Sequence, residues 1–123
     1  MSRKKIFIID DDDAAIFGYS RYLEKSGYVV SASAFLKEGL EKLSQENFDA
    51  VVFDVRLPDG NALDVIPQVR ARNKAIKIFV ISGLSDEKTC EAALAGGADE
   101  FLVKPIAIKD LCESISKTLE NAA

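Results

Sequence analysis

Five short apolar runs, Ile6 to Ile9, Tyr28 to Val30, Ala50 to Phe53, Ile78 to Ile81 and Phe101 to Val103, recur every 22 to 28 residues along the chain. Runs of this length bounded by polar residues read as short strands buried on both faces. The segments between them carry a helical period instead. Ile16, Tyr19 and Leu23 form the first stripe; Leu36, Leu40 and Leu43 the second; Ala62, Ile66 and Val69 the third; Cys90, Ala93 and Leu94 the fourth; and Ile108, Leu111, Ile115 and Leu119 the fifth. Each stripe places one apolar face on a helix. Doubly apolar strands alternating with amphipathic helices predict a parallel sheet covered on both sides, and right-handed crossovers make it a doubly wound α/β sandwich.

The punctuation agrees with this division. Ser26-Gly27 closes the first helix, Asp86 is placed to cap the fourth, and Gly96-Gly97 supplies the left-handed turn that ends it. Pro67 falls inside the expected third helix unless it marks a kink, because an interior proline costs about 3 kcal/mol. In the fourth helix the inner stripe is expected to be small, Ala92, Ala93 and Ala95 around Leu94, which buries little area and leaves the helix weakly anchored.

A chain of 123 residues is near the usual size of one domain, so residues 1–123 are expected to form a single unit. No apolar run approaches the roughly 18 residues of a membrane span, and IFII is too short for a signal-peptide core, so a cytoplasmic location without membrane contact is expected. Cys90 and Cys112 lack metal-ligand spacing and read as small apolar residues. The net charge of -4 argues against direct nucleic-acid binding, which needs a basic face. The chain contains no histidine, so no imidazole base, ligand or phosphoacceptor comes from it.

In a doubly wound sheet, ligands bind beyond the carboxyl ends of the strands. There the first strand delivers Asp10 and Asp11, the third Asp54, the fourth Ser82 and the fifth Lys104-Pro105. Singly, each has a plainer reading. An aspartate after a strand is commonly a helix cap, as expected for Asp12 or Asp13; Ser82 reads as a turn residue, Lys104 as a solvated charge and Phe101 as ordinary strand packing. Their joint placement at four strand ends outweighs those readings. Three carboxylates, a hydroxyl and an amine make a hard-oxygen site suited to Mg²⁺ and a phosphoryl group.

The segments IFIIDDDD, VVFDVRLPDG, IFVISG and GGADEFLVKP together resemble the receiver domain of two-component response regulators over essentially the whole chain. The resemblance implies a flavodoxin-like (CheY-like) fold, five strands in the order 2-1-3-4-5 with five flanking helices. It implies that Asp54 is the phosphoacceptor. Asp11, the Asp54 carboxylate and the Arg56 carbonyl would then bind Mg²⁺ directly, and Asp10 through a metal-bound water. Ser82 and Lys104 would each meet a phosphoryl oxygen. Ser82 and Phe101 would form the switch, changing a partner surface on the fourth helix, fifth strand and fifth helix.

The implied partners are a sensor histidine kinase or histidine phosphotransfer protein as donor, and a downstream output domain or effector. A homodimer formed on phosphorylation belongs to the same set. The implied chemistry is self-phosphorylation and autodephosphorylation within a signalling domain that is not otherwise an enzyme. The loop PDGNAL and the proline-containing helix loosely resemble the N-terminal receivers of longer transcription regulators. The Arg56 side chain either meets the phosphoryl group or lies in solvent, and Lys104-Pro105 resembles the family's cis-peptide site.

Two rivals fit less well. A phosphatase of the haloacid-dehalogenase type also uses an aspartyl nucleophile and Mg²⁺. It needs Asp-x-Asp followed by Thr or Val, which neither Asp10-Asp11-Asp12-Asp13-Ala14 nor Asp54-Val55-Arg56 provides. A dinucleotide or flavin binder wants a glycine or hydroxyl loop after the first strand, where four aspartates would repel phosphate.

Overall fold

At the centre of the fold lies β3 (Ala50–Asp54), every residue of which is buried. The computed structural model describes residues 3–83 and 86–121. Strand β1 (Lys5–Ile9) flanks β3 on one side and β6 (Lys77–Ser82) on the other, with β2 (Val29–Ser33) and β7 (Glu100–Val103) at the edges. All four pairings are parallel, in the order β2-β1-β3-β6-β7. That is the 2-1-3-4-5 order implied above, because β4 (Arg56–Leu57) and β5 (Gly60–Asn61) pair only with each other, as a small antiparallel hairpin.

Alternate residues of the strands feed two cores. Phe7, Ile9, Val51, Phe53, Ile78 and Val80 point to one side, under α2 (Leu36–Gln45), α3 (Ile66–Arg72) and α4 (Glu87–Gly96). Ile6, Ile8, Val52, Phe79 and Ile81 point to the other, under α1 (Asp13–Lys25) and α5 (Ile108–Asn121). Each fully buried side chain of this size contributes about 1.5–3 kcal/mol. One close approach favours glycine: a Cβ at Gly39 of α2 would meet Ile9 Cδ1 at 2.6 Å, so the Ile9 side chain of β1 packs tightly under this turn of α2.

Helix punctuation follows the sequence closely. Asp12 caps α1, accepting from the N–H groups of Ala14 and Ala15, and Asp13 is the first helical residue. Asp86 caps α4 through Thr89 N at 2.7 Å, and Gly97 ends it with φ +119°.

Four expectations need correction. The edge strands are covered less than the inner ones; Val29 is exposed, and β2 begins one residue after buried Tyr28. Pro67 makes no kink. It occupies the first turn of α3, where its missing N–H leaves no bond unmade, while Ala62 lies in a preceding 3-10 turn, Ala62–Asp64. Leu94 does not line the inner face of α4 but is 47% exposed, and Ala92 and Ala95 face outward too. Fully buried Ala93, with half-buried Thr89, Cys90 and Gly96, forms the inner face, so α4 is held by even less apolar area than expected. No helix among the described residues is long and apolar enough to cross a membrane.

Candidate functional site

The carboxyl ends of β1, β3 and β6 are brought level by the sheet register. Ile9 pairs with Phe53, and Asp54 with Ile81, so the residues that follow these strands emerge side by side. One carboxylate oxygen from each of Asp10, Asp11 and Asp54 lies within 4.8 Å of the others. Asp10 and Asp54 are buried, and Asp11 is exposed. Three hard-oxygen donors this close, one open to solvent, suit a small divalent cation that keeps several waters.

Local bonds fix these side chains. Asp10 N donates to Ser33 O at 3.0 Å, and Asp10 Oδ1 accepts from Asp12 N at 2.9 Å, so this carboxylate is held from within its own turn. Burial pushes the Asp10 carboxyl above its ordinary range, and the Asp54 charge adds to the rise against the pull of the Asp12 N–H and Lys104. Tyr19 of α1 packs behind, and burial together with the Asp10 charge raises its phenol.

On the opposite side, Lys104 N donates to Ser82 O at 2.8 Å, which sets the lysine beside the end of β6. Its Nζ reaches to 3.2 Å from Asp54 Oδ2. Burial lowers the Lys104 ammonium, but the charges of Asp54 and Asp10 outweigh it and raise the group overall. The Lys104-Pro105 peptide is cis. Ser82 is buried at the floor of a cleft of about 330 Å³ that Asp54, Val55, Arg56, Gly83 and Lys104 complete. The Arg56 side chain is exposed at the rim.

The structure therefore brings Asp10, Asp11, Asp54, Arg56, Ser82 and Lys104 to one sheet edge. Phe101 stands apart. It lies in β7 opposite Val80, half-buried against the α3–α4 core. Two contributors escaped the sequence reading: Asp59 and Asn61, which shape the segment after Asp54. Asn61 accepts from Leu63 N at 2.8 Å and turns the chain into α3. Asp59 bonds the first turn of α2. The available signal was the start of α2, where the sequence Ala34-Phe35 offers no capping side chain.

Comparison with known proteins supplies the context. Residues 6–116 match the family model described as the response regulator receiver domain. The chain is 31% identical over 112 residues to the acid tolerance regulatory protein ActR of Rhizobium meliloti, covering 91% of this chain and 58% of that protein. It is 29% identical over 121 residues to the transcriptional regulatory protein PrrA of Mycobacterium leprae, covering 98% and 52%. The chain thus spans little more than half the length of these relatives. A crystal structure of a CheY-like response regulator receiver domain protein from Methanospirillum hungatei superposes with a TM-score of 0.93 at 31% identity, covering 98% of this chain and 97% of that one.

Proposed function

The chain belongs to the response regulator receiver domain family, and from that premise we propose that Asp54 accepts a phosphoryl group from a phosphohistidine. The donor is a sensor histidine kinase or a histidine phosphotransfer protein, since this chain has no histidine of its own. One observation carries the assignment: among the strand-end residues, Asp54 alone is shared by the carboxylate cluster and the lysine, with Lys104 Nζ 3.2 Å from its Oδ2.

An Asp54 carboxylate oxygen attacks phosphorus in line. The phosphorus–nitrogen bond breaks, the imidazole leaves with its electron pair and takes up a proton, and an acyl phosphate forms. Water later attacks phosphorus, the bond to Asp54 oxygen breaks, and inorganic phosphate leaves. An ionised carboxylate needs no base to become a nucleophile, so positioning and charge neutralisation do the catalytic work. Lys104 offsets one phosphoryl oxygen and the Ser82 hydroxyl donates to another. Asp10, Asp11, Asp54 and the Arg56 carbonyl would hold Mg²⁺, Asp11 and Asp54 directly and Asp10 through water. When bound, the ion supplies positive charge where two anions must approach.

The switch follows from Ser82. Drawn toward the new phosphoryl oxygens, Ser82 carries the loop after β6 with it, Phe101 turns into the vacated space, and the α4–β7–α5 face changes for an output domain or effector. The weak inner face of α4 supports this reading. We read residues 1–123 as one receiver domain in a two-component system, serving as the receiver of a longer transcription regulator like the relatives it matches in part.

Incubation with acetyl phosphate and Mg²⁺ should add the mass of one phosphoryl group to the wild type and none to Asp54→Asn. Equal labelling of the two would overturn the assignment.

A further inference from the structure

Helix α2 has no cap of its own. Phe35 occupies the N-cap position with extended backbone, φ -126° and ψ 143°, and its side chain accepts nothing. A residue from the turn between β4 and β5 fills the place: Asp59 Oδ1 accepts from Leu36 N at 2.6 Å and Oδ2 from Lys37 N at 2.9 Å. Both carboxylate oxygens meet the positive end of the helix, a favourable site for an anion.

The consequence lies at the other end of the hairpin. Its base is tied to the sheet: Val55 N donates to Ile81 O at 3.1 Å and Ala62 N to Val55 O at 2.8 Å. Its body is only the pairs Arg56–Asn61 and Leu57–Gly60. A lone two-stranded hairpin is marginal in water even when longer than this. Leu57 anchors the near half of the hairpin by burial in the core, and the tip beyond it is held by Asp59, whose partner helix is seated by buried Leu36 and by the Ile9 side chain packed against Gly39. Between the tied base and the tied tip runs the main chain of Arg56, two residues from Asp54.

We propose that Asp59 is a positioning residue for the acceptor site: by bonding the first turn of α2 it fixes the β4–β5 hairpin, and with it the Arg56 main chain beside Asp54. This rests on the reading above in which the Arg56 carbonyl meets Mg²⁺. Without Asp59 every carboxylate of the cluster remains, but one oxygen donor loses its fixed place.

The test must separate positioning from simple loss of a helix cap. Mg²⁺ is titrated calorimetrically into the full chain as wild type, Asp59→Ala, and the double variant Phe35→Asp/Asp59→Ala. The double variant restores a cap to α2 from its own N-cap position, where Phe35 is half exposed and its loss costs little packing. It does not restore the tie to the hairpin. Urea unfolding should show the stability lost in the single variant largely regained in the double one. Mg²⁺ affinity should stay roughly 10-fold below wild type in both, the lower end of what removal of supporting hydrogen bonds costs a metal site. Amide exchange at Val55 to Leu57 should be faster in both without metal. Wild-type affinity in the single variant, or its recovery in the double variant, overturns the positioning role. Absence of Mg²⁺ binding by the wild type overturns the functional reading itself. If Asp59→Ala does not fold, Asp59→Asn serves the same comparison, since it keeps the volume and loses the charge.

Discussion

Lys104 Nζ stands 3.2 Å from Asp54 Oδ2, the lysine side chain one-third exposed and the aspartate 11% exposed. The pair links the two halves of the site, a cluster of like charges on one side and the Lys104 ammonium on the other.

Removing that cation should have opposite effects on metal and phosphoryl transfer. In Lys104→Met, Mg²⁺ should bind about fivefold more tightly, since two unit charges 4 Å apart exchange about 1 kcal/mol even in water. Phosphorylation by acetyl phosphate should slow on the order of 100-fold, the usual cost of one preorganised donor. Calorimetry and intact-mass kinetics measure the two.

Without metal, the three carboxylates repel. Asp10→Asn should raise the metal-free stability by on the order of 1 kcal/mol, as one of the three like charges is removed. Added Mg²⁺ should stabilise the wild type by about 2.7 kcal/mol at a hundredfold excess over Kd, and the variant by much less. Thermal unfolding with Mg²⁺ and with a chelator checks both.

Arg70 ties three segments together. Its guanidinium donates to the carbonyl oxygens of Asn73, Lys74, Ile76 and Gly97 and to Asp99 Oδ2 at 2.8 Å, while Asp99 Oδ2 also accepts from Ile78 N. Arg70→Ala should cost about 3 kcal/mol in urea unfolding, because several carbonyls lose a charged donor. Arg70→Lys should recover less than half, lacking the planar fork.

Asp86 gives a pH signature. The Thr89 N–H, with its hydroxyl, holds this carboxyl below the ordinary value near 3.8. A carboxyl depressed on folding stabilises the fold above its unfolded pKa, and that contribution disappears as pH falls through the folded value. Asp86→Ala should therefore be less stable than wild type at neutral pH, the difference closing only in strong acid. Paired urea titrations across pH read the gap.

Burial pushes the Cys112 thiol up to about 12. The nucleophilic form of a cysteine is the thiolate. Cys112 should therefore be inert to a disulfide reagent at pH 8 in the folded protein and react promptly in 6 M guanidinium, as thiol counting can show.

Much of the site was legible because the sheet itself does the placing. Asp10, Asp54, Ser82 and Lys104 could be grouped from sequence, since each follows an apolar run and parallel strands end on one edge. The features that escaped depend on pairs distant in sequence. The residues before Leu36 show that a cap is missing but not that Asp59 supplies it, and nothing near Arg70 announces the carbonyl of Gly97. Leu94 misled for a different reason. Helical spacing locates a stripe only to within one residue's turn, and by size alone Leu94 marks its centre. On α4 close packing prefers the smallest: Ala93 and Gly96 face inward, where a Cβ at Gly96 would sit 3.5 Å from Ile66 and Pro67.

The Arg70 bonds to Gly97 make α4 a lever with its fulcrum at the carboxyl end. At 1.5 Å per residue, Glu87 lies about 15 Å from that fulcrum and Leu94 only about 4.5 Å. Were the amino end of α4 displaced as the proposed switch requires, Glu87 and Lys88 would travel the longest arcs and Leu94 about a third as far. Under the proposed switch, a partner resting on this helix would meet an apolar point that moves little and a row of charge that moves more, so a phosphoryl group on Asp54 would reach it as a change of electrostatic direction.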